Sequence, residues 1–368
     1  MSLETRIARV RKLAAEKGYD AVVIRNNPDL RWLTGAERVF DFESAHTAFI
    51  TQDELFVHTD SRYYNTFIER LGKDSIWRFD EDNVRHNEWI VQKAIETHSR
   101  VVALEDSLSV SLYQSILRAS QDASAVINFV FLHNDLVEMR AIKDAEEIEL
   151  MRHAQAITDA AFSHMLEFVQ VGMTEKQIQA ELEGYMYSEG ADGLAFESIV
   201  ASGPNTANAH AKPSDRKLEK GDFLLLDYGA SYRDYNSDMT RTMVMGEAAE
   251  WQKEIYEIVL NTNQEITRLS KPGVIGSEMH QKAVDMITKA GYGDYFKHGL
   301  GHGVGIEIHE EPVYGLRDKH TFVPGHVVTI EPGIYLPQKG GVRIEDYGVI
   351  TEEGIDIFTQ STHELQIL

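Results

Sequence analysis

Apolar residues recur along the first third of the chain with two alternating periods. Leu3, Ile7, Val10, Leu13 and Ala14 return every three or four positions and stop at Gly18, which predicts an opening helix. Short apolar runs at Ala21–Ile24, Ala48–Ile50, Leu55–Thr59, Val101–Leu104 and Ala125–Val130 predict strands. Helical spacing comes back at Asn87–Thr97 and Ser109–Ala119. Residues 1–135 therefore read as an α/β domain with a mixed sheet. They contain no glycine-rich strand-to-helix turn, so no nucleotide site is expected there.

The pattern changes near Val137–Lys143. Asp144 with Glu147 three positions later predicts a capping box, and Ile148, Met151, Ala154, Ile157, Ala161 and Met165 form the apolar stripe of the helix behind it, closed by Gly172. Thr174 with Gln177 opens a second helix that ends at Gly190. Strands are expected at Phe223–Ala230 and Met239–Met245, then two helices separated by Pro272–Gly273 and closed by Gly291. The last quarter is strand-rich, with turns expected at Pro324–Gly325, Pro332–Gly333 and Gly340–Gly341. Residues 136–368 read as an α+β domain.

Composition narrows the chemistry. A chain of 368 residues with 43% hydrophobic content fits two globular domains. The net charge of −23, from 36 basic and 59 acidic residues, argues against nucleic acid or an anionic membrane as partner. There is no cysteine, which removes disulfides, thiolate metal sites and cysteine nucleophiles together. Any metal must sit on oxygen and imidazole donors. The first residues have no apolar core of a signal peptide, and no apolar run approaches the roughly 18 residues of a spanning helix, so a cytoplasmic protein is expected.

Four segments carry candidate chemistry. In LLLDYGASYRDYNSDMTRT, Asp227 ends an apolar strand and Asp238 begins the next, a spacing that a hairpin can close. A carboxylate embedded beside Leu224–Leu226 is costly unless a cation compensates it. HGLGHGVGIEIHE holds His298, His302 and His309 among glycines that let the backbone approach a ligand. It is neither a dinucleotide fingerprint nor the H-E-x-x-H helix of zincins. Glu331 ends a β-branched strand before Pro332, and Glu345 alternates with apolar neighbours in GVRIEDYGVI. Four carboxylates balance the charge of two divalent cations, with imidazole as a further donor, and such ion pairs activate water for hydrolysis.

This quartet resembles the pita-bread metallopeptidases, which include methionine aminopeptidase, Xaa-Pro aminopeptidase and prolidase. PDLRWLTGAERVF and TDSRYY are similar to the non-catalytic domain of the proline-specific branch, and ESIVASGPNTANAHAKPSDRKLEKGD to the stretch before the first aspartate. The resemblance covers the whole chain and implies a pita-bread catalytic domain over 136–368. It implies that Asp227 binds one metal, His302 and Glu331 the other, while Asp238 and Glu345 bridge. Glu331 would also serve as general base and acid. His210 and His309 match the pair that steadies the substrate carbonyl. His298, Tyr335 and Arg343 match positions around the substrate, where binding and purely structural roles both stand open. The implied cofactor is two divalent ions, manganese first, with cobalt, zinc and iron also accepted by these donors. The implied assembly is a homodimer.

Within the branch two activities compete, Xaa-Pro aminopeptidase and Xaa-Pro dipeptidase. A dipeptidase must hold a free carboxylate just past the proline, usually with an arginine. Val313 follows Pro312 here, and Arg317 is the nearest arginine downstream. The expectation is an aminopeptidase acting on peptides with proline second, with the dipeptidase as the alternative. A creatinase-like hydrolase or a binding protein on the same fold is more remote, because all five ligand positions are kept.

Overall fold

The computed structural model describes residues 2–41, 43–72, 74–80 and 84–368. The chain divides into two compact units, Met1–Arg140 and Ala141–Leu368.

The first unit is built on six strands: β1 (Ala21–Ile24), β2 (His46–Thr51), β3 (Leu55–Thr59), β4 (Arg78–Asp80), β5 (Val101–Leu104) and β6 (Asn128–Phe131). They lie in the order β4-β3-β2-β1-β5-β6, with β1/β2 and β2/β3 antiparallel and the other pairs parallel. Six helices pack in this unit: α1 (Leu3–Lys17), α2 (Asn27–Thr34), α3 (Tyr64–Leu71), α4 (His86–Glu96), α5 (Val110–Asp122) and α6 (Asp135–Ala141). The mixed sheet is as expected, and Gly18 closes α1 in the left-handed conformation. The last strand starts at Asn128 rather than Ala125, because residues up to Ala123 complete α5 and its cap.

The second unit opens with α7 (Ala145–Phe168) and α8 (Glu175–Ser188). Both begin with reciprocal capping boxes, Asp144 with Glu147 and Thr174 with Gln177. Short strands β7 (Gly193–Leu194) and β8 (Ile199–Ser202) follow, then β9 (Phe223–Tyr228), β10 (Ala230–Tyr232), β11 (Tyr235–Asn236) and β12 (Met239–Val244). The expected single strand 223–230 is in fact two. A Cβ at Gly229 would run into the Ser237 carbonyl, and the chain leaves the β12-β9-β8 sheet there to join β11-β10-β7.

Helices α9 (Glu250–Leu269) and α10 (Gly276–Lys289) precede the last strands: β13 (Gly301–Gly303), β14 (Glu310–Tyr314), β15 (Val327–Ile330), β16 (Gly333–Leu336), β17 (Gly340–Arg343), β18 (Asp346–Ile350) and β19 (Ile355–Ile357). β15 pairs with β18 in a five-stranded sheet, while β16 pairs with β17 in a sheet of their own. The run β15–β18 is thus one long hairpin with a step in both arms, at residues 331–332 and 344–345. This corrects two expectations. Pro332–Gly333 is not a reversal but the step in the first arm, and the reversal lies at 337–339, just before Gly340. Glu345 sits in the step of the second arm rather than inside a strand.

Breaking a hairpin ladder leaves backbone groups that must find other partners. The N–H of Glu331 donates to the Leu300 carbonyl (2.8 Å), and that of Glu345 to the Thr240 carbonyl (3.1 Å). The carbonyls of Ile330 and Ile344, one residue before each glutamate, both accept from the buried Asn263 amide of α9, at 2.9 and 3.5 Å. The stepped hairpin is therefore fastened at its bend to three other segments. Apolar packing of α9 and α10 against Val328, Ile330, Ile334, Val342 and Ile344 backs it from the other side.

Candidate metal centre and active site

Strand periodicity determines what β12 presents. Asp238 stands immediately before it in the same alternation as Thr240 and Thr242, and the two threonines face the second arm of the stepped hairpin. The Thr240 hydroxyl donates to Glu345 Oε2 (2.7 Å), and the Thr242 hydroxyl to the Arg343 carbonyl (3.0 Å). Next to them Asp227, on β9, pairs with Thr240 in register. His302 comes from β13, whose tightness explains the glycines around it. A Cβ at Gly301 would strike the Thr329 carbonyl, and one at Gly303 the carbonyls of Glu310 and Glu311. The His302 N–H donates to the Thr329 hydroxyl (3.0 Å), and its ring Nδ1–H to the Gly303 carbonyl (3.0 Å). That tautomer leaves the Nε2 lone pair open.

These elements bring the five predicted ligand residues around one point. Asp238, His302 and Glu345 each offer a ligand atom within 4.8 Å of the other two. His302 Nε2 lies 3.5 Å from Asp238 Oδ2 and 3.6 Å from Glu331 Oε1. Asp227 stands beside them, held by the Arg343 guanidinium. Asp227, Asp238 and Glu345 are all at least nine-tenths buried.

The electrostatics are those of an anionic cluster that one guanidinium, Arg343, offsets only in part. Burial and the charges of Asp227 and Glu331 hold the Asp238 carboxyl well above the usual range. Burial and Asp238 do the same to Glu345. Burial and Asp227 push Glu331 to about 8, against the opposing pull of Arg343. Burial lowers His302 to about 4, keeping it neutral. The donors are all oxygen or neutral imidazole, the acids are mutually repelling, and one ring nitrogen is free. That set fits hard or borderline divalent cations.

Arg343, Tyr335 and His298 form a chain behind the ligands. Arg343 contacts Asp227, donates from Nε to the Thr240 hydroxyl (3.0 Å), and from a terminal nitrogen to Tyr335 Oη (2.6 Å). Burial opposes its charge, yet Tyr335 and the surrounding carboxylates raise its pKa further. The Tyr335 hydroxyl in turn donates to His298 Nε2 (2.9 Å), whose Nδ1–H donates to the Gly299 carbonyl (2.7 Å). Burial pushes His298 down to about 4, so it is the neutral acceptor this chain requires.

A cleft of about 630 Å³ opens over these residues. His210, on the loop after β8, and His309, between β13 and β14, line it and are both exposed. The His309 ring lies 4.3 Å from that of His302. Phe196, Ile199, Ile308 and Val313 give the cleft an apolar wall. Arg317 is not among the described residues that line it. Reading the sequence missed Thr240, Thr329 and Asn263, which orient the ligand-bearing backbone and carboxylates. Their only signal is position, two residues after Asp238 and two before Glu331 for the threonines.

The chain is similar to known proteins along its length. A model of metallopeptidase family M24 matches residues 149–352, and one of the creatinase/prolidase N-terminal domain matches residues 6–142. The solved structure of a Xaa-Pro dipeptidase from Bacillus anthracis superposes with a TM-score of 0.91 at 34% identity, covering 100% of both chains. That of an X-Pro aminopeptidase from Thermotoga maritima MSB8 gives 0.88 at 32% identity, covering 99% of this chain and 100% of the other. The Xaa-Pro dipeptidase of Pyrococcus horikoshii is 34% identical over 366 residues, 99% of each chain.

Proposed function

The chain belongs to metallopeptidase family M24, with the pita-bread fold and a creatinase/prolidase N-terminal domain, and on that premise we propose that this metal-dependent hydrolase cleaves the bond between an N-terminal residue and a penultimate proline. The observation that carries the reading is the convergence of Asp227, Asp238, His302, Glu331 and Glu345 at the floor of a cleft whose walls are apolar and histidine-rich. Asp227 is assigned to one cation, His302 and Glu331 to the other, and Asp238 and Glu345 to both. When bound, two divalent ions supply a hydroxide at neutral pH and polarise the scissile carbonyl.

The chain's own residues do the rest. Glu331 accepts the proton of the attacking water and passes it to the proline nitrogen, which leaves as a secondary amine. His210 and His309, exposed on the cleft wall, donate to the carbonyl oxygen as it gains charge. Arg343 holds Asp227 in place, and Thr240 holds Glu345. Tyr335 and Arg343 keep His298 oriented and neutral beside the substrate. Manganese is the proposed native metal and a homodimer the proposed assembly, as the family resemblance implies, and the proposed location is the cytoplasm.

Substrates of three or more residues are the proposed preference, Xaa-Pro-Yaa over Xaa-Pro. The test is kcat/KM for Ala-Pro-Ala, Ala-Pro and Ala-Ala-Ala with the metal-loaded enzyme. Ala-Ala-Ala should lag by roughly 10- to 200-fold, the scale by which an apolar pocket rejects a substrate that leaves it partly unfilled. Comparable cleavage of Ala-Ala-Ala overturns proline specificity. A strong preference for Ala-Pro would make the enzyme a dipeptidase.

A further inference from the structure

Among the described residues, two permanent cations line the cleft, Arg343 and Lys212. Arg343 is buried and fully engaged by Asp227, Thr240 and Tyr335, so it has no capacity for substrate. Lys212 differs in every respect. Its side chain is 83% exposed, and its ammonium has one partner, Glu197 Oε2 at 3.4 Å, itself 67% exposed. Glu197 also lines the cleft, from the segment before β8. The pair closes on itself at the mouth only loosely, and exposed pairs of this kind exchange partners at little cost.

The loop that carries Lys212 is firmly based. Glu175, fully buried, accepts from Ser202, from Asn205 and from both the N–H and hydroxyl of Ser214, at 2.6–2.9 Å. Arg216 clamps Asp222 just beyond (2.6 and 3.0 Å). Pro213 restricts the backbone next to the lysine. The loop thus presents His210 and Lys212, two residues apart, into the same cleft from a rigid base.

We infer that Lys212 is the receptor for the free carboxylate of an Xaa-Pro dipeptide, which takes the ammonium from Glu197. The inference rests on the proline-specific reading above. If His210 reaches the scissile carbonyl, the carboxylate of a dipeptide lies one residue farther along, about 3.5 Å of chain. A flexible lysine on the same loop spans that interval. The cleft is otherwise acidic, with Glu197 at its mouth and carboxylates at its floor, so a substrate carboxylate needs such a partner. In longer substrates the charge is absent at this position and Lys212 keeps Glu197. The enzyme is therefore an aminopeptidase with a built-in foothold for dipeptides.

The experiment compares Ala-Pro with Ala-Pro-amide, which differ only in that charge, in the wild-type enzyme, Lys212→Met and Glu197→Gln, all metal-loaded. The readout is the ratio of kcat/KM for Ala-Pro to that for Ala-Pro-amide. Lys212→Met should lower the ratio by roughly 2- to 5-fold, the worth of an exposed ion pair, through KM rather than kcat. Glu197→Gln should raise it. A ratio unmoved by Lys212→Met, or an equal loss on both substrates, overturns the assignment while leaving proline specificity intact. A wild-type enzyme that cleaves Ala-Pro-Ala but neither of these substrates overturns the inference alone, and one that cleaves none of the three overturns the proline-specific reading with it.

Discussion

Glu345 and Asp346 are neighbours in the chain, each only 2% exposed, yet their carboxyls shift in opposite directions. Burial would raise both. At Asp346 the Arg241 guanidinium (2.7 Å) and His363 (2.7 Å) override burial and hold the group at about 2. At Glu345 burial is joined by Asp238, Glu331 and Asp227, and the carboxyl sits well above its ordinary range. One carboxylate was folded with its counter-ion. The other faces three more acids and a single hydroxyl donor. The difference separates a structural carboxylate from one whose counter-ion must come from solution.

The comparison breaks first at Glu331. Glu331→Gln keeps the shape of the site but removes the proton acceptor, and kcat should fall by about 10²–10⁴-fold with metal present. A kcat within tenfold of wild type would remove Glu331 from the chemistry.

Substituting the two neighbours sharpens the contrast. Asp346→Asn strands the buried Arg241 charge, although the carbonyls of Glu345, Ser361 and Thr362 still accept from it. The metal-free protein should lose about 3 kcal/mol, near the low end for breaking a buried pair. Glu345→Gln removes one of four repelling acids, and the metal-free protein should be at least as stable as wild type. Urea unfolding of the metal-free variants measures both. The reverse order would show that Glu345, not Asp346, has its partner built in.

A smaller loss is expected at Asn263. Replacing it with Leu leaves the Ile330 and Ile344 carbonyls buried without their donor, at a cost of about 1–3 kcal/mol. Because those carbonyls adjoin Glu331 and Glu345, metal affinity should drop together with stability. A variant that loses stability but binds metal normally would show that the amide does not position the ligands.

The mildest test is pH. Raised carboxyl pKa values mean that the metal-free fold holds protons the unfolded chain has released. Its stability should therefore fall as pH rises from the ordinary glutamate value of 4.5 towards about 8, where Glu331 is held. Asp346 works the other way. Its contribution is complete above the ordinary aspartate value of 3.8 and is lost only as pH falls towards 2. Metal must displace the site protons, so the rise in Tm on adding Mn²⁺ should grow between pH 5 and 8. A constant rise would mean that the cluster binds metal without releasing protons.

Much of this was legible in the amino-acid sequence, for specific reasons. Capping boxes announce themselves by spacing, and those at Asp144 and Thr174 formed as read. The ligand residues stood out because acids and histidines are costly beside apolar strands and glycines. Pro332–Gly333 misled because proline and glycine mark any break in a ladder, and a step between two sheets breaks it as a reversal does. Helix α2 was overlooked although Asn26 caps it and Gly35 closes it; at eight residues it is too short for its period to show. Asn263 left no trace and Thr240 only its position two residues after Asp238, since uncharged residues within regular elements reveal their partners only once the fold is assembled. An exposed lysine in a loop, such as Lys212, is equally silent until a cleft forms around it.

The most direct measurement counts metal and activity together. Enzyme stripped by a chelator is titrated with Mn²⁺, following bound ions per chain and kcat/KM for Ala-Pro-Ala. The cluster of Asp227, Asp238, His302, Glu331 and Glu345 predicts no activity when stripped and recovery that is complete at two ions per chain. Full turnover by the metal-free enzyme would contradict it.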